Sequence, residues 1–283
     1  MQAAQAAAIA KFRQLHQEGC FVLPNPWNIG TAIYLQHLGF QALATTSAGF
    51  AFSRGKPDGG IPRDEMLSHI HEVVAATPLP VNADFLGGFA DAPEALHENV
   101  GRCLATGVAG LSIEDSTGRS DRPLYEHDLA VARLRAARAA LDSSAIPALL
   151  TGRCEAFLVE HPEPLPTVLA RLVAYAEAGA DCLYAPGLTT SDEISAVVRA
   201  VAPKPVNVLV SGFNAEFSCA QLADLGVRRV SVGSGLALAA WGAFLRAAAE
   251  LAADGNFAKL AEGARSAELN QLFANAGQSA QGR

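Results

Sequence analysis

Lysine is scarce in this chain of 283 residues. Only Lys11, Lys56, Lys204 and Lys259 occur, and none stands at the C-terminal end of a strand-like segment, so a Schiff-base mechanism has no nucleophile. Histidine is absent beyond His161 and from every strand-like end, which argues against a histidine-centred triad or a histidine-rich zinc site. There is no Gly-rich phosphate loop with its lysine and no dinucleotide fingerprint. No apolar run reaches the roughly 18 residues of a spanning helix. In residues 1–17, Lys11 and Arg13 lie inside an Ala/Gln-rich stretch rather than ahead of an apolar one, unlike a secretory signal. Basic residues are also outnumbered, 21 against 28 acidic, for a net charge of −7. Such a balance, without a basic stripe, argues against nucleic acid or an anionic membrane surface as partner. Five cysteines, Cys20, Cys103, Cys154, Cys182 and Cys219, are odd in number, far apart and never spaced as a metal or redox pair. They read as reduced thiols of a cytoplasmic protein.

What is present is apolar and periodic. Half the residues are hydrophobic and 17% are charged, enough to bury a large core. Short apolar runs predict strands at Phe21–Pro24, Ala42–Thr46, Val81–Asp84, Gly110–Ile113, Ala148–Gly152, Cys182–Ala185, Val206–Leu209 and Arg229–Val232, each reading as buried on both faces. Helical stretches alternate with them: Ile29–His37, Arg63–Ala76, Pro93–Thr106, Asp128–Leu141, Leu165–Ala178 and Ser191–Val201. Gly39, Gly107, Gly179 and Gly226 each close a helix just before a strand, the place for a left-handed C′ residue. Eight such units in roughly 250 residues predict a (β/α)8 barrel rather than a doubly wound sheet. No linker divides residues 1–283, so they read as one domain. An N-terminal helix (1–17) caps the floor, the barrel spans 18–234, C-terminal helices fill 235–276 and a frayed tail ends the chain at 277–283.

In this fold the chemistry gathers where the strands end. The acids expected at that mouth are Asp58, Asp84, Glu114 and Asp115. Carboxylates converging without lysines call for a hard divalent cation, Mg2+ with Mn2+ as a substitute. Arg153, at the end of the fifth strand, is placed to hold a substrate carboxylate with its planar fork, although Glu155 two residues on is an alternative partner.

The motifs Thr46-Ser47-Ala48-Gly49, Gly55-Lys56-Pro57-Asp58, Asn82-Ala83-Asp84, Ile113-Glu114-Asp115 and Gly152-Arg153 come in an order and spacing that resemble the isocitrate lyase / phosphoenolpyruvate mutase superfamily. The closest likeness is to its small phosphonomutase-like members, with Val206-Asn207-Val208-Leu209 and Val230-Ser231-Val232-Gly233-Ser234-Gly235 nearer the C-terminus. The resemblance runs from about Leu15 to Glu250. It implies a Mg2+-dependent enzyme that takes a 2-oxo acid or phosphonate analogue through an enolate while a C–C or P–C bond is made or broken. Carried over residue by residue, Ser47, Ala48 and Gly49 hold the substrate carboxylate, with Asn207 also on the substrate. Asp58, Asp84, Glu114 and the position of Asn82 serve the metal, and Arg153, Glu114 and Asp58 serve the chemistry.

The departures narrow the reaction. Asn82 stands where the family commonly has a second aspartate. The loop Ser116–Pro123 carries Arg119 and Arg122 but no Cys-Gly-His, and Cys154 sits on the fifth strand where a nucleophile has no use. The sixth strand ends in Ala185-Pro186-Gly187, where lyases of the family present a glutamate. Isocitrate and methylisocitrate cleavage are therefore not expected, and decarboxylation or hydrolysis of an oxaloacetate- or phosphonopyruvate-like compound fits better. Two alternatives stay open: a phosphosugar isomerase or epimerase, from Ser211-Gly212 and Gly233-Ser234-Gly235, and a catalytically weak 2-oxo-acid-binding barrel. Leu236, Leu238, Ala239, Trp241, Phe244, Leu245 and Leu251 make 235–253 apolar on more than one stripe, which predicts a homo-oligomer. The resemblance implies helices exchanged between subunits in a dimer or dimer of dimers.

Overall fold

The computed structural model describes residues 2–143 and 147–281. Eight short strands run parallel: Phe21–Leu23 (β1), Leu43–Ala44 (β2), Val81–Asp84 (β3), Gly110–Glu114 (β4), Leu149–Arg153 (β5), Cys182–Tyr184 (β6), Val206–Leu209 (β7) and Arg229–Ser231 (β8). Their order is β1-β8-β7-β6-β5-β4-β3-β2. The Ala44 amide donates to the Pro24 carbonyl at 3.0 Å just beyond β1, which draws the two edges together. The result is the expected (β/α)8 barrel. All eight strands lie where short, doubly buried apolar runs place them.

The helices Ile29–His37 (α2), Arg63–Ala76 (α4), Pro93–Leu104 (α5), His127–Asp142 (α6), Pro164–Glu177 (α7) and Ser191–Val201 (α8) alternate with the strands. Gly39, Gly107, Gly179 and Gly226 adopt φ of 89°, 98°, 101° and 89°, the left-handed geometry that ends a helix without a Cβ penalty. Two short helices add to those the periodicity predicts. Ser47–Ser53 (α3) begins directly after β2, because the Thr46 hydroxyl caps it by accepting from the Gly49 amide. Cys219–Asp224 (α9) comes after β7 behind a capping box from Ser218 and Gln221.

Helix Gln2–Leu15 (α1) closes the barrel floor. Phe12 is fully buried and stands where a Cβ on Gly110 would strike it at 2.9 Å. Just past the helix, His16 Nδ1 lies 2.7 Å from the Phe12 carbonyl. Nδ1 is therefore the protonated nitrogen, and Nε2 accepts from Arg229 Nη1 at 3.3 Å. Arg229 also donates to Asn207 Oδ1 at 2.8 Å and Thr151 Oγ1 at 3.1 Å. The lower barrel is thus polar, with a guanidinium among neutral partners.

At the other end of the chain, Gly235–Asp254 (α10) is stopped by left-handed Gly255 and leads through a short 3-10 turn to Ser266–Gln281 (α11). Helix α11 rests on α2 through Phe273 beside Gly30. It continues past Gly277, where the sequence suggests fraying, and residues 282–283 lie outside the described ones. The expected lack of a spanning-length apolar segment is corrected by α10. At 20 residues and mean hydropathy 1.4, it is long and apolar enough by length and composition to cross a membrane. The alanines raise its average although Arg246 and Glu250 interrupt it.

Two imidazoles are buried in this architecture. His69 on α4 stacks on Phe50 of α3 at 3.8 Å, and its Nε2 has no partner. Burial holds its pKa down to about 4. Burial and then Arg229 hold His16 down to about 3. Both stay neutral in the fold while the unfolded chain takes up their protons near pH 6.5, so their contribution is complete above that pH and is lost as the pH falls towards 4. For His69 the loss at pH 5 is roughly 2 kcal/mol. In urea unfolding, His69→Leu is expected to narrow the stability difference between pH 7 and pH 5 by about that amount relative to the parent. An unchanged pH slope would contradict a neutral, buried His69.

Candidate active site

The last residues of three neighbouring strands carry the site. In the sheet register Glu114 of β4 stands beside Arg153 of β5, which stands beside Tyr184 of β6, then Asn207 of β7 and Arg229 of β8. Residues in register face the same side of a sheet, so these five form one row facing the barrel interior. Asp84 ends β3 a step away, in register with Ser112.

Arg153 is the centre. Its Nη1 lies 3.2 Å from Asp84 Oδ1 and 3.3 Å from Glu114 Oε2, and its Nε donates to Glu155 Oε1. The guanidinium sits over the Tyr184 ring, 5.1 Å from its centroid. Burial opposes its charge, but Glu155 and Glu114 outweigh burial and hold its pKa well above the usual value. The carboxylates are pressed the other way. Burial, reinforced by Glu155, Asp84 and Asp58, pushes Glu114 well up. Burial and then Asp84 raise Asp58. Burial raises Glu155, with Arg153 opposing. Four carboxyl groups share one cation, so negative charge is in excess wherever they all ionise.

Asp58, Asp84 and Arg153 open onto a cavity of about 160 Å³ lined also by Ser47, Ala48, Asn82, Tyr184, Asn207 and Arg229, while Glu114 and Glu155 stand behind Arg153 and do not line it. Asp84 is anchored by the Ser47 amide at 2.9 Å, and the Ser47 hydroxyl bonds Asp58. Of the three positions expected to hold a carboxylate, Ser47 and Ala48 line the cavity. Gly49 does not, and the reason is steric: a Cβ there would meet Thr46, Ala237 and Trp27 at 2.7, 3.2 and 3.2 Å, while its amide is taken by Thr46. Asn207 reaches the cavity with its amide already engaged, donating to Ser231 Oγ at 2.9 Å and accepting from Arg229. Asn82 is buried with Oδ1 unpartnered, whereas Glu114 Oε2, which makes no hydrogen bond, lies against Arg153 Nη1.

Asp115 departs from its expected place at the mouth. Its side chain is fully shielded and faces the other way, where it meets Arg171 Nη1 at 3.1 Å, the Tyr175 hydroxyl at 2.7 Å and the Glu155 amide at 2.8 Å. Strand alternation explains this: with Glu114 facing in, the next residue faces out. Three participants are not evident as site residues from the sequence. Tyr184 lies within an apolar run, although its strand parity with Asn207 is a usable signal. Glu155 reads only as an alternative partner for Arg153, yet it binds that guanidinium together with Asp84 and Glu114. Asn25 stands at the end of β1, and its side chain accepts from the Val232 and Gly233 amides and donates to the Thr45 carbonyl, tying three strand ends around the mouth. Cys154 is buried, and burial reinforced by Asp115 pushes its thiol well up, consistent with no nucleophilic role.

Comparison with known proteins gives a consistent match. The family model for phosphoenolpyruvate phosphomutase matches residues 12–252. The crystal structure of a candidate lyase/mutase from Burkholderia cenocepacia J2315 superposes with a TM-score of 0.93 at 50% identity, covering 96% of this chain and 98% of that one. An uncharacterised protein of Mycobacterium tuberculosis is 34% identical over 227 residues, 79% of this chain and 81% of its own. The 2-methylisocitrate lyase of Salmonella typhimurium is 31% identical over 220 residues, 74% of this chain and 70% of its own.

The placement of Asp115 is testable. Asp115→Asn leaves Arg171 buried without a counter-charge, so it should destabilise the fold by about 3 kcal/mol in urea unfolding. Wild-type stability in that variant would show that the Arg171–Asp115 contact is not a support of the β4–β5 edge.

Proposed function

Because the chain belongs to the phosphoenolpyruvate phosphomutase family, within the phosphoenolpyruvate mutase / isocitrate lyase enzymes, we propose that it is a divalent-metal-dependent enzyme acting on a small 2-oxo acid or phosphonate analogue. In this reading it forms an enolate as a C–C or P–C bond is made or broken. The observation that carries the proposal is the cluster of Asp58, Asp84, Glu114 and Glu155 around the single guanidinium of Arg153, with the buried Asn82 Oδ1 unpartnered on the same strand as Asp84.

The donor set suits a hard cation. Among the described residues no three acidic, histidine or cysteine side chains stand close enough to ligate an ion directly. Mg2+ or Mn2+ keeps several waters and needs only one or two carboxylates from the protein. Asp84 and Asp58, with Glu114 and the Asn82 amide oxygen, are the groups that would hold it and its waters. When bound, such an ion supplies Lewis-acid stabilisation of negative charge on a 2-oxo oxygen.

The chain's own residues supply the rest. Arg153 exchanges a carboxylate neighbour for the substrate's carboxylate, which its fork binds in two parallel hydrogen bonds. The Ser47 hydroxyl and the Ala48 backbone orient the same group from α3. Glu114, whose pKa burial raises, is assigned the part of keeping or releasing a proton during the reaction. The Ser116–Leu124 segment, closed by a bridge between its ends, brings Arg119 and Arg122 but no thiol or imidazole. That supports decarboxylation or hydrolysis of an oxaloacetate- or phosphonopyruvate-like substrate over methylisocitrate cleavage. The same reading makes the protein cytoplasmic, with a small molecule and not a nucleic acid or membrane as partner.

Calorimetric titration with oxalate, an enolate mimic, tests the proposal. Binding should require Mg2+, and Asp84→Asn should lose it while its thermal unfolding stays cooperative. Metal-independent oxalate binding, or an Asp84→Asn variant that binds like the parent, would overturn the site assignment. Pyruvate release from a panel of 2-oxo acids and phosphonates then identifies the reaction, and binding without turnover would mark a ligand-binding barrel instead.

We further propose a homo-oligomer, a dimer or dimer of dimers, built through α10. Leu238, Phe244 and Leu245 are 52%, 59% and 59% exposed, more apolar surface than a monomer ordinarily leaves uncovered. Static light scattering at micromolar concentration should return a mass of two or four chains. A single-chain mass that persists on dilution would exclude the assembly.

A further inference from the structure

Two thiols that the sequence keeps far apart are brought together by the closure of the barrel. Cys20 directly precedes β1 and Cys219 opens α9, 199 positions later, yet their Sγ atoms lie 3.8 Å apart. Both side chains are only partly buried, whereas Cys103, Cys154 and Cys182 are buried. The pair lies beside the β1–β8 seam: the Phe21 amide donates to the Arg228 carbonyl at 3.1 Å, and Arg228 Nη1 donates to the Gly19 carbonyl at 3.0 Å. Arg228 thus places a cation beside the pair, although burial and the neighbouring sulfur outweigh it at Cys20. Neither sulfur lines the cavity at the barrel mouth, so chemistry at this pair is independent of the proposed reaction.

We propose that Cys20 and Cys219 form a two-electron oxidation site that hydrogen peroxide converts to an intramolecular disulfide and that thiols reverse. A disulfide needs the sulfurs at about 2.05 Å, an approach of under about 2 Å from their present separation, within the reach of side-chain rotation. The Cys219 thiolate attacks one peroxide oxygen, the O–O bond breaks, and the sulfur becomes a sulfenic acid as the other oxygen leaves and takes up a proton as water. The Cys20 sulfur then attacks the sulfenic sulfur, an S–S bond forms, the S–O bond breaks, and a second water carries away the oxygen and the Cys20 proton. Two thiols and one peroxide give one disulfide and two waters. Cys219 takes the first step because burial and the neighbouring sulfur push the Cys20 thiol up to about 12, which suits Cys20 to the resolving role. A thiol reverses the bond by exchange through a mixed disulfide. In a reducing compartment such a bond is transient, in keeping with free thiols at both positions.

The bond would fasten the start of β1 to α9, the helix that leads into β8, across the seam where the first and eighth strands meet. Closing a loop of that length restricts the unfolded chain strongly. The thermal midpoint should rise by several degrees, up to ~10 °C, and return on reduction.

The full-length protein is treated with a small excess of hydrogen peroxide and analysed under denaturing, non-reducing conditions. Expected is a single chain about 2 Da lighter, with titratable thiols falling from five to three and recovered by dithiothreitol. Peptide mapping should join the peptides of Cys20 and Cys219. Cys219→Ser should leave Cys20 unmodified at the same dose. Cys20→Ser should trap a sulfenic acid at Cys219 that dimedone labels. Retention of all five thiols, a bond between two chains, a bond to another cysteine, or irreversible oxygen addition in place of the disulfide would each overturn the proposal.

Discussion

The mouth of this barrel depends on one buried cation. A guanidinium shielded from water is costly unless its charge is met and its N–H groups are bonded. Arg153 meets both conditions through Asp84, Glu114 and Glu155, which come from the ends of β3, β4 and β5. The three strand ends are therefore held at fixed relative positions by the same contact that gathers the chemistry. The support continues outward. Glu155 is itself positioned by its amide on Asp115, and Asp115 is fixed by Arg171 and Tyr175 of α7. Asp84 is positioned by the amide of Ser47, which exists as a donor there because α3 starts immediately after β2. Each functional side chain is thus oriented by a neighbour with no freedom of its own, as a preorganised site requires.

Alternation along the strands decides how much of this is legible in the sequence. The doubly buried runs announce the barrel, and the order of acids at successive strand ends announces the mouth. Orientation is what they do not carry. Asp115 comes directly after Glu114 and so points away from it, a consequence of period two that counting acids ignores. Tyr184 and Glu155 escape for the opposite reason: one looks apolar and the other looks like a surface ion-pair partner, and only the β5–β6 register for the first and the buried ion pair for the second show them touching Arg153. Gly49 matches a motif that implies ligand contact, but its lack of a side chain is needed for Trp27 and Ala237 to approach. No local pattern separates a glycine that admits a ligand from one that admits a neighbouring helix. Helix α10 is the other limit: its apolar character is legible, yet in the single chain Leu238, Phe244 and Leu245 stay exposed.

The interior divides its charge along the barrel axis. At the floor, Arg229 is surrounded by Asn207, Thr151 and a His16 held neutral, so a positive charge there has only dipoles for company. At the mouth, four carboxyl groups stand against one guanidinium, and burial raises the pKa of three of them. The excess of acid above and the unmatched cation below attract one another through a low-dielectric interior, where such forces are weakly screened. This arrangement offsets part of the cost of each and leaves the acids still short of positive charge.

Asn82 is the residue on which that balance turns. It lies on the same strand as Asp84, two positions deeper and on the same face, between the acid-rich mouth and the basic floor. A second carboxylate there would add to a cluster that already resists full ionisation. The amide keeps a buried hard oxygen with no hydrogen-bond partner of its own, while adding no charge. Under the proposed function Asp58, Asp84 and Glu114 would hold the cation, and burial raises the pKa of Asp58 and Glu114. A cation and a proton compete for the same oxygen atoms, so either can relieve the repulsion. Under the proposed function, the amide at position 82 limits the negative charge that one arginine and a partly hydrated divalent ion would have to offset.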